Sequence, residues 1–136
     1  MIFLDTGYFV ALFTPDDRLH DRATAWSLRL HEPMLVTEHI LWECVNTFSR
    51  PKDRASAHAL VGHVKSDPNC KLVHATPQLF AASLQLHRDR PDKEWSLTDC
   101  ISFHVMRERG ISRALAYDTH FEQAGFEALL RKDPPV

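Results

Sequence analysis

Ile2-Phe3-Leu4 runs without polar alternation straight into Asp5, and this junction constrains the fold more than any other stretch of the chain. An uninterrupted apolar run of this length reads as a strand buried on both faces, the pattern of a parallel sheet. A carboxylate at its end is costly unless it is paired or bound to a cation. Open α/β sheets place their ligands beyond the carboxyl ends of the strands, so Asp5 stands where a site is expected. Thr6-Gly7 turns the chain into a short apolar helix over Tyr8 to Phe13.

The rest of the chain alternates helices with short strands. Thr14-Pro15-Asp16-Asp17 is a turn, with Asp16 or Asp17 as the cap of a helix over Arg18 to His31. Met34 to Thr37 is the second strand, followed by a helix carrying Ile40, Leu41, Cys44, Val45 and Phe48 that stops near Pro51. Lys52 to Lys65 is another helix and Cys70 to His74 a third strand. Thr76-Pro77 starts a further helix, with proline at the first helical position. Arg88 to Glu94 connects to a helix over Ser96 to Glu108, which Gly110 closes with a left-handed cap. Arg113 to Tyr117 is the fourth strand, His120 to Gln123 a short helix, and Phe126 to Leu130 a possible edge strand. The expected fold is α/β, a three-layer Rossmann-like sandwich with a central parallel sheet of 4–5 strands. With 136 residues and no internal repeat or linker, one domain over 1–136 is expected, its tail 131–136 flexible.

Composition excludes several classes of function. Charged residues at 25% and apolar ones at 44% are ordinary for a globular domain, and the net charge of -2 provides no general pull toward nucleic acid. No apolar run is long enough to span a bilayer and no signal-peptide pattern leads the chain, so a cytoplasmic protein is expected. Cys44, Cys70 and Cys100 are odd in number, widely spaced and set in apolar surroundings, which fits reduced core thiols. The nine histidines and the cysteines form no zinc-binding spacing, and no glycine-rich phosphate loop is present.

Four acids depart from the core pattern. Asp5 and Asp118 each end a strand, and in a parallel sheet both project from one edge. Asp99 lies in the first turn of its helix, and Glu43 interrupts an apolar helix that directly follows a strand. Three of the acids, taken alone, also have a local explanation; Asp5 has the weakest one. Ser96-x-x-Asp99 matches a capping box, Asp118 fits a helix cap, and Glu43 could pair with His39 four residues earlier. Together, four carboxylates at one end repel one another unless a hard divalent cation joins them, and such ions assist phosphodiester hydrolysis. Asp5-Thr6-Gly7 is also the tripeptide of aspartic proteases, but those are β-rich and carry a second copy of the motif, which this chain lacks.

With these residues in view, the chain resembles the PIN-domain family, especially the small ribonucleases of the VapC toxin type. The resemblance rests on Phe3-Leu4-Asp5-Thr6, Thr37 to Cys44, Ser96 to Cys100 and Ala116 to Phe121, taken in that order across nearly the whole chain. It implies a metal-dependent endoribonuclease that hydrolyses RNA, the toxin of a toxin–antitoxin pair. Asp5, Glu43, Asp99 and Asp118 would be the catalytic acids holding Mg²⁺ or Mn²⁺, with Thr6 in a supporting role. Cys100 is a mild departure, since the family usually has a smaller residue after the third acid. Glu38 reads as a capping acid and His120 as an exposed loop histidine. The implied partners are RNA and an antitoxin, with a homodimer or antitoxin groove suggested by the Trp26 and Trp42 helices. Arg50, Lys52, Arg54, Arg88, Arg90 and Lys93 are candidate RNA contacts, with a solvated surface as their simpler reading. The competing reading is a non-catalytic PIN-like module that binds RNA or protein.

Overall fold

The structure, a computed structural model, describes residues 1–136. Its centre is one five-stranded, all-parallel sheet in the order β3-β2-β1-β4-β5. The strands are β1 (Ile2–Leu4), β2 (Met34–Thr37), β3 (Cys70–Val73), β4 (Arg113–Leu115) and β5 (Glu127–Ala128). Seven helices surround it: α1 (Thr6–Phe13), α2 (His20–Arg29), α3 (Glu38–Thr47), α4 (Arg54–Ser66), α5 (Pro77–Asp89), α6 (Leu97–Glu108) and α7 (Thr119–Gln123). The chain winds outward from β1 to β3, crosses to β4 and then winds the other way. Right-handed crossovers therefore put α1 to α4 on one face and α5 to α7 on the other. This is the α/β sandwich expected from the alternation of elements.

β1 lies at the middle of the sheet, and its three residues are all buried, as the unbroken apolar run requires. Phe3, Phe103 and Phe121 are fully buried, with the Phe103 ring 5.0 Å from both Trp95 and Phe121. At the amino end of the sheet, Arg113 reaches Glu32 at 2.6 Å, which ties the start of β4 to the entrance of β2.

Several boundaries differ from the sequence reading for identifiable reasons. The second helix begins at His20 with Leu19 as its cap residue, so neither Asp16 nor Asp17 caps it. Asp17 instead accepts the Leu19 N–H at 2.8 Å and holds the preceding turn. β4 stops at Leu115, two residues short of Tyr117, because its neighbour β1 has already ended at Leu4. The last strand is only Glu127–Ala128, and Leu129–Arg131 forms a 3-10 turn whose Leu130 N–H donates to the Ala116 carbonyl. Gly110 does take the left-handed conformation, at φ 67°. No helix is long and apolar enough to cross a membrane.

Candidate active site

The sheet reverses its winding between β1 and β4, which is the switch point where such folds open a crevice. Leu4 is in register with Leu115, so the two strands end level and deliver Asp5 and Asp118 to the same rim. α3 follows β2 without a break and carries Glu43 over that rim, while the start of α6 brings Asp99. Asp5, Thr6, Glu43, Asp99 and Asp118 all line one open cleft of about 1050 Å³. Sites far apart in the chain thus meet at the carboxyl edge.

Asp5 occupies the cap position of α1 in extended conformation, yet its side chain makes no capping hydrogen bond. Burial is the main influence on its carboxyl, partly offset by the Thr6 backbone N–H. The Asp99, Glu43 and Asp118 charges add to burial, and the pKa is pushed up from 3.8 to about 7. Thr6 donates its hydroxyl to Glu43 Oε1 at 2.5 Å, joining the start of α1 to α3. Glu43 therefore turns to Thr6 rather than to His39.

On the other side of the cleft, the local explanations hold and the cleft position holds with them. Ser96 and Asp99 form a complete capping box, with the Asp99 N–H donating to Ser96 Oγ and the Ser96 N–H to Asp99 Oδ2, each at 3.0 Å. Asp118 caps α7 by accepting the His120 N–H at 2.9 Å. Capping fixes these carboxylates on short arms at helix starts without withdrawing them from the cavity.

His120 corrects the sequence reading. It is half-buried, and its Nδ1 stands 3.0 Å from Asp99 Oδ2 and 3.4 Å from Asp118 Oδ1. The imidazole sits between two acids that belong to different elements. The short interval between Asp118 and His120 was the available signal, but only the placement of α6 brings Asp99 to the same ring. Glu38 also lies outside the cluster: it accepts the Ala75 N–H at 2.9 Å and pairs with His74 at 3.2 Å. Those contacts hold its carboxyl below the usual range.

The basic residues singled out from the sequence do not line the cleft. Arg50 pairs with Asp53, and Arg90 and Lys93 pair with Asp92. Arg18 and Arg131 are the cleft's arginines, both beside Tyr117. The Arg18 hydrogen bond and charge hold the Tyr117 phenol below its ordinary pKa. Nothing local in the sequence marked these two. Trp26 is buried, its indole N–H donating to the Lys132 carbonyl, whereas Trp42 on α3 is 53% exposed.

The donors offered by this cleft are carboxylate and hydroxyl oxygens, the set that hard divalent ions such as Mg²⁺ and Mn²⁺ take. In the present side-chain arrangement no three acids, histidines or cysteines stand close enough to chelate one ion. Asp99 and Asp118 face His120, and Glu43 faces Thr6. The donor chemistry therefore fits a divalent cation.

The PIN domain family matches residues 2–127. The 23S rRNA-specific endonuclease VapC20 of Mycobacterium tuberculosis is 31% identical over 128 residues, which span 93% of this chain and 95% of that protein. The crystal structure of VapC20, described as a Sarcin-Ricin loop cleaving toxin, superposes with a TM-score of 0.87 at 26% identity. That match covers 94% of this chain and 98% of the other. FitAcB from Neisseria gonorrhoeae shares the fold at a TM-score of 0.69 and 18% identity, covering 93% of this chain and 95% of the other.

Proposed function

This chain belongs to the PIN-domain family, and on that premise we propose that it is a metal-dependent endoribonuclease, the toxin of a toxin–antitoxin pair. The observation that carries the reading is the meeting of four carboxylates from separate parts of the chain in one cleft. Asp5, Glu43, Asp99 and Asp118 are the acids assigned to hold Mg²⁺ or Mn²⁺. Such an ion, when bound, supplies activation of water and neutralisation of charge at the RNA phosphate. Thr6 is a positioning residue, since it fixes the carboxylate of Glu43 through its hydroxyl. His120 orients Asp99 and Asp118 and lines the same cavity, within reach of a phosphate lying over the acids.

Acids that repel one another around one cleft support this reading over a module that only binds. Asp5 has no capping role to explain its place, and its neighbours raise the cost of its charge. A partner surface is part of the proposal. Trp42 and Phe80, 53% and 50% exposed, border an apolar groove that shares Glu43 with the cleft. An antitoxin segment or a second copy of the chain is the assigned occupant of that groove. Mass measurement of the purified chain, alone and with a co-expressed antitoxin, separates the two.

The test is cleavage of an RNA panel with Mg²⁺ or Mn²⁺, comparing wild type with Asp5→Asn and Asp99→Asn. The panel includes 23S rRNA and an isolated sarcin–ricin loop, the target class of VapC20. Cleavage by wild type and not by the variants is expected. Equal activity in all three proteins overturns the site assignment. An inactive wild type that Mn²⁺ still stabilises against heat favours the binding module.

A further inference from the structure

The cleft is strongly one-sided in charge. Its walls carry Asp5, Asp17, Glu43, Glu94, Asp99 and Asp118, against Arg18 and Arg131. A polyanion approaching such a site is repelled wherever no cation intervenes. The acids alone, even with a divalent ion among them, attract only the phosphate directly above that ion. The phosphates on either side must find positive charge elsewhere or meet carboxylates.

Arg18 and Arg131 are built into a single unit. Arg18 lies in the loop after α1 and Arg131 ends the 3-10 turn after β5, yet both guanidiniums stand over the ring of Tyr117, at 4.7 and 4.5 Å. Arg18 Nη1 donates to the Tyr117 hydroxyl at 3.3 Å, and Arg131 Nη1 donates to the Tyr117 carbonyl at 2.7 Å. Arg131 is also 3.5 Å from Glu122, while the phenol is the hydrogen-bond partner of Arg18. Both arginines are exposed. Both side chains also line the cleft that holds the four acids. Guanidinium forks match phosphate oxygens in shape as well as charge.

We propose that Arg18 and Arg131, held on Tyr117, form a seat for an RNA phosphate adjacent to the one that lies over the acids. The inference rests on the ribonuclease reading and names how that site grips its substrate. Tyr117 is covalently next to Asp118, so the seat and the acid rim keep a fixed spacing along the bound strand. The carboxyl-terminal segment is part of the grip. Arg22 donates to the Leu130 carbonyl, and the Trp26 indole to that of Lys132, which secures the residues around Arg131 against α2.

The experiment pairs cleavage kinetics in Mn²⁺ with anisotropy of a short, fluorescein-labelled, single-stranded RNA. It compares wild type, Arg18→Gln, Arg131→Gln, the double variant, Tyr117→Phe and Arg29→Gln. A phosphate contact made equally in ground and transition states raises KM and leaves kcat nearly unchanged. Each arginine variant is expected to raise KM about 10-fold and to flatten the dependence of log(kcat/KM) on log salt by about 0.7. Tyr117→Phe keeps the ring and shows a smaller effect, and Arg29→Gln, exposed and outside the cleft, shows none. A double variant with wild-type KM and salt slope, in a protein that cuts RNA, overturns the seat alone. A wild type that binds the RNA without cutting it overturns the ribonuclease reading, and loss of that binding in the double variant still upholds the seat. Absence of both binding and cleavage overturns both.

Discussion

Asp5 and Asp118 occupy the same kind of position, the cap residue after a central parallel strand, and the molecule uses them differently. Asp118 accepts the backbone N–H of His120 and is half exposed. Asp5 leaves its helix uncapped and carries a proton up to about pH 7 because burial and three neighbouring acids disfavour its charge. The contrast extends to their partners. Asp99, like Asp118, serves a helix start and an imidazole, whereas Glu43 is held across the cleft by Thr6. One wall of the cleft is therefore stabilised by its own local structure, and the other stands against it. A carboxylate without a structural task is the better indicator of function; a capping carboxylate can serve both ends at once.

Substitutions at the two walls should separate stability from activity. The largest effect is expected for Asp5→Asn, with RNA cleavage falling more than about 100-fold, beyond the range typical of residues that only support metal ligands. The same change should raise the metal-free Tm at pH 8, by about 3 °C if relief of the buried charge is a 1 kcal/mol effect. A loss of activity accompanied by lower stability would erase the distinction drawn for Asp5. Asp118→Asn should also lose most cleavage in the same assay. Its Tm should stay close to wild type, because asparagine caps a helix about as well as aspartate.

Thr6→Val removes the hydroxyl that fixes Glu43, and a cleavage rate lower by about 10-fold is expected from the second-shell range. Unchanged kinetics would mean that Glu43 needs no such support. Ser96→Ala should act mainly on stability, costing about 1 kcal/mol as a lost cap and little in kcat, read by chemical denaturation beside turnover. The last effect is a pH dependence of stability. The folded chain holds the Asp5 proton up to about pH 7 while the unfolded chain releases it near 3.8. Between those values the folded state binds more protons, so this contribution to stability is full below about pH 4 and declines as pH rises through 7. Thermal melts across that window should show the decline in wild type and a flatter profile in Asp5→Asn. Added Mn²⁺ should oppose the decline at the alkaline end.

The amino-acid sequence by itself determined the alternation of elements and the parallel sheet, and it singled out the four acids proposed for the site. Those features are local: an apolar run of strand length, a capping box, a proline at a helix start, and charges that break an apolar pattern. Asp5 was legible because a buried strand tolerates no unexplained carboxylate. Glu43 was legible because it interrupts an apolar helix. Tertiary structure alone decided how the acids are held and what surrounds them. His120 looked like a loop residue until α6 brought Asp99 to its ring. Arg18, Tyr117 and Arg131 are unremarkable in sequence, and the hydrogen bond from Arg18 to Tyr117 joins positions 99 residues apart. Periodicity and capping act over a few residues, so a sequence displays them. Pairing of charges across the cleft depends on which strands end level and which loops return to the same rim, and only the folded sheet sets that.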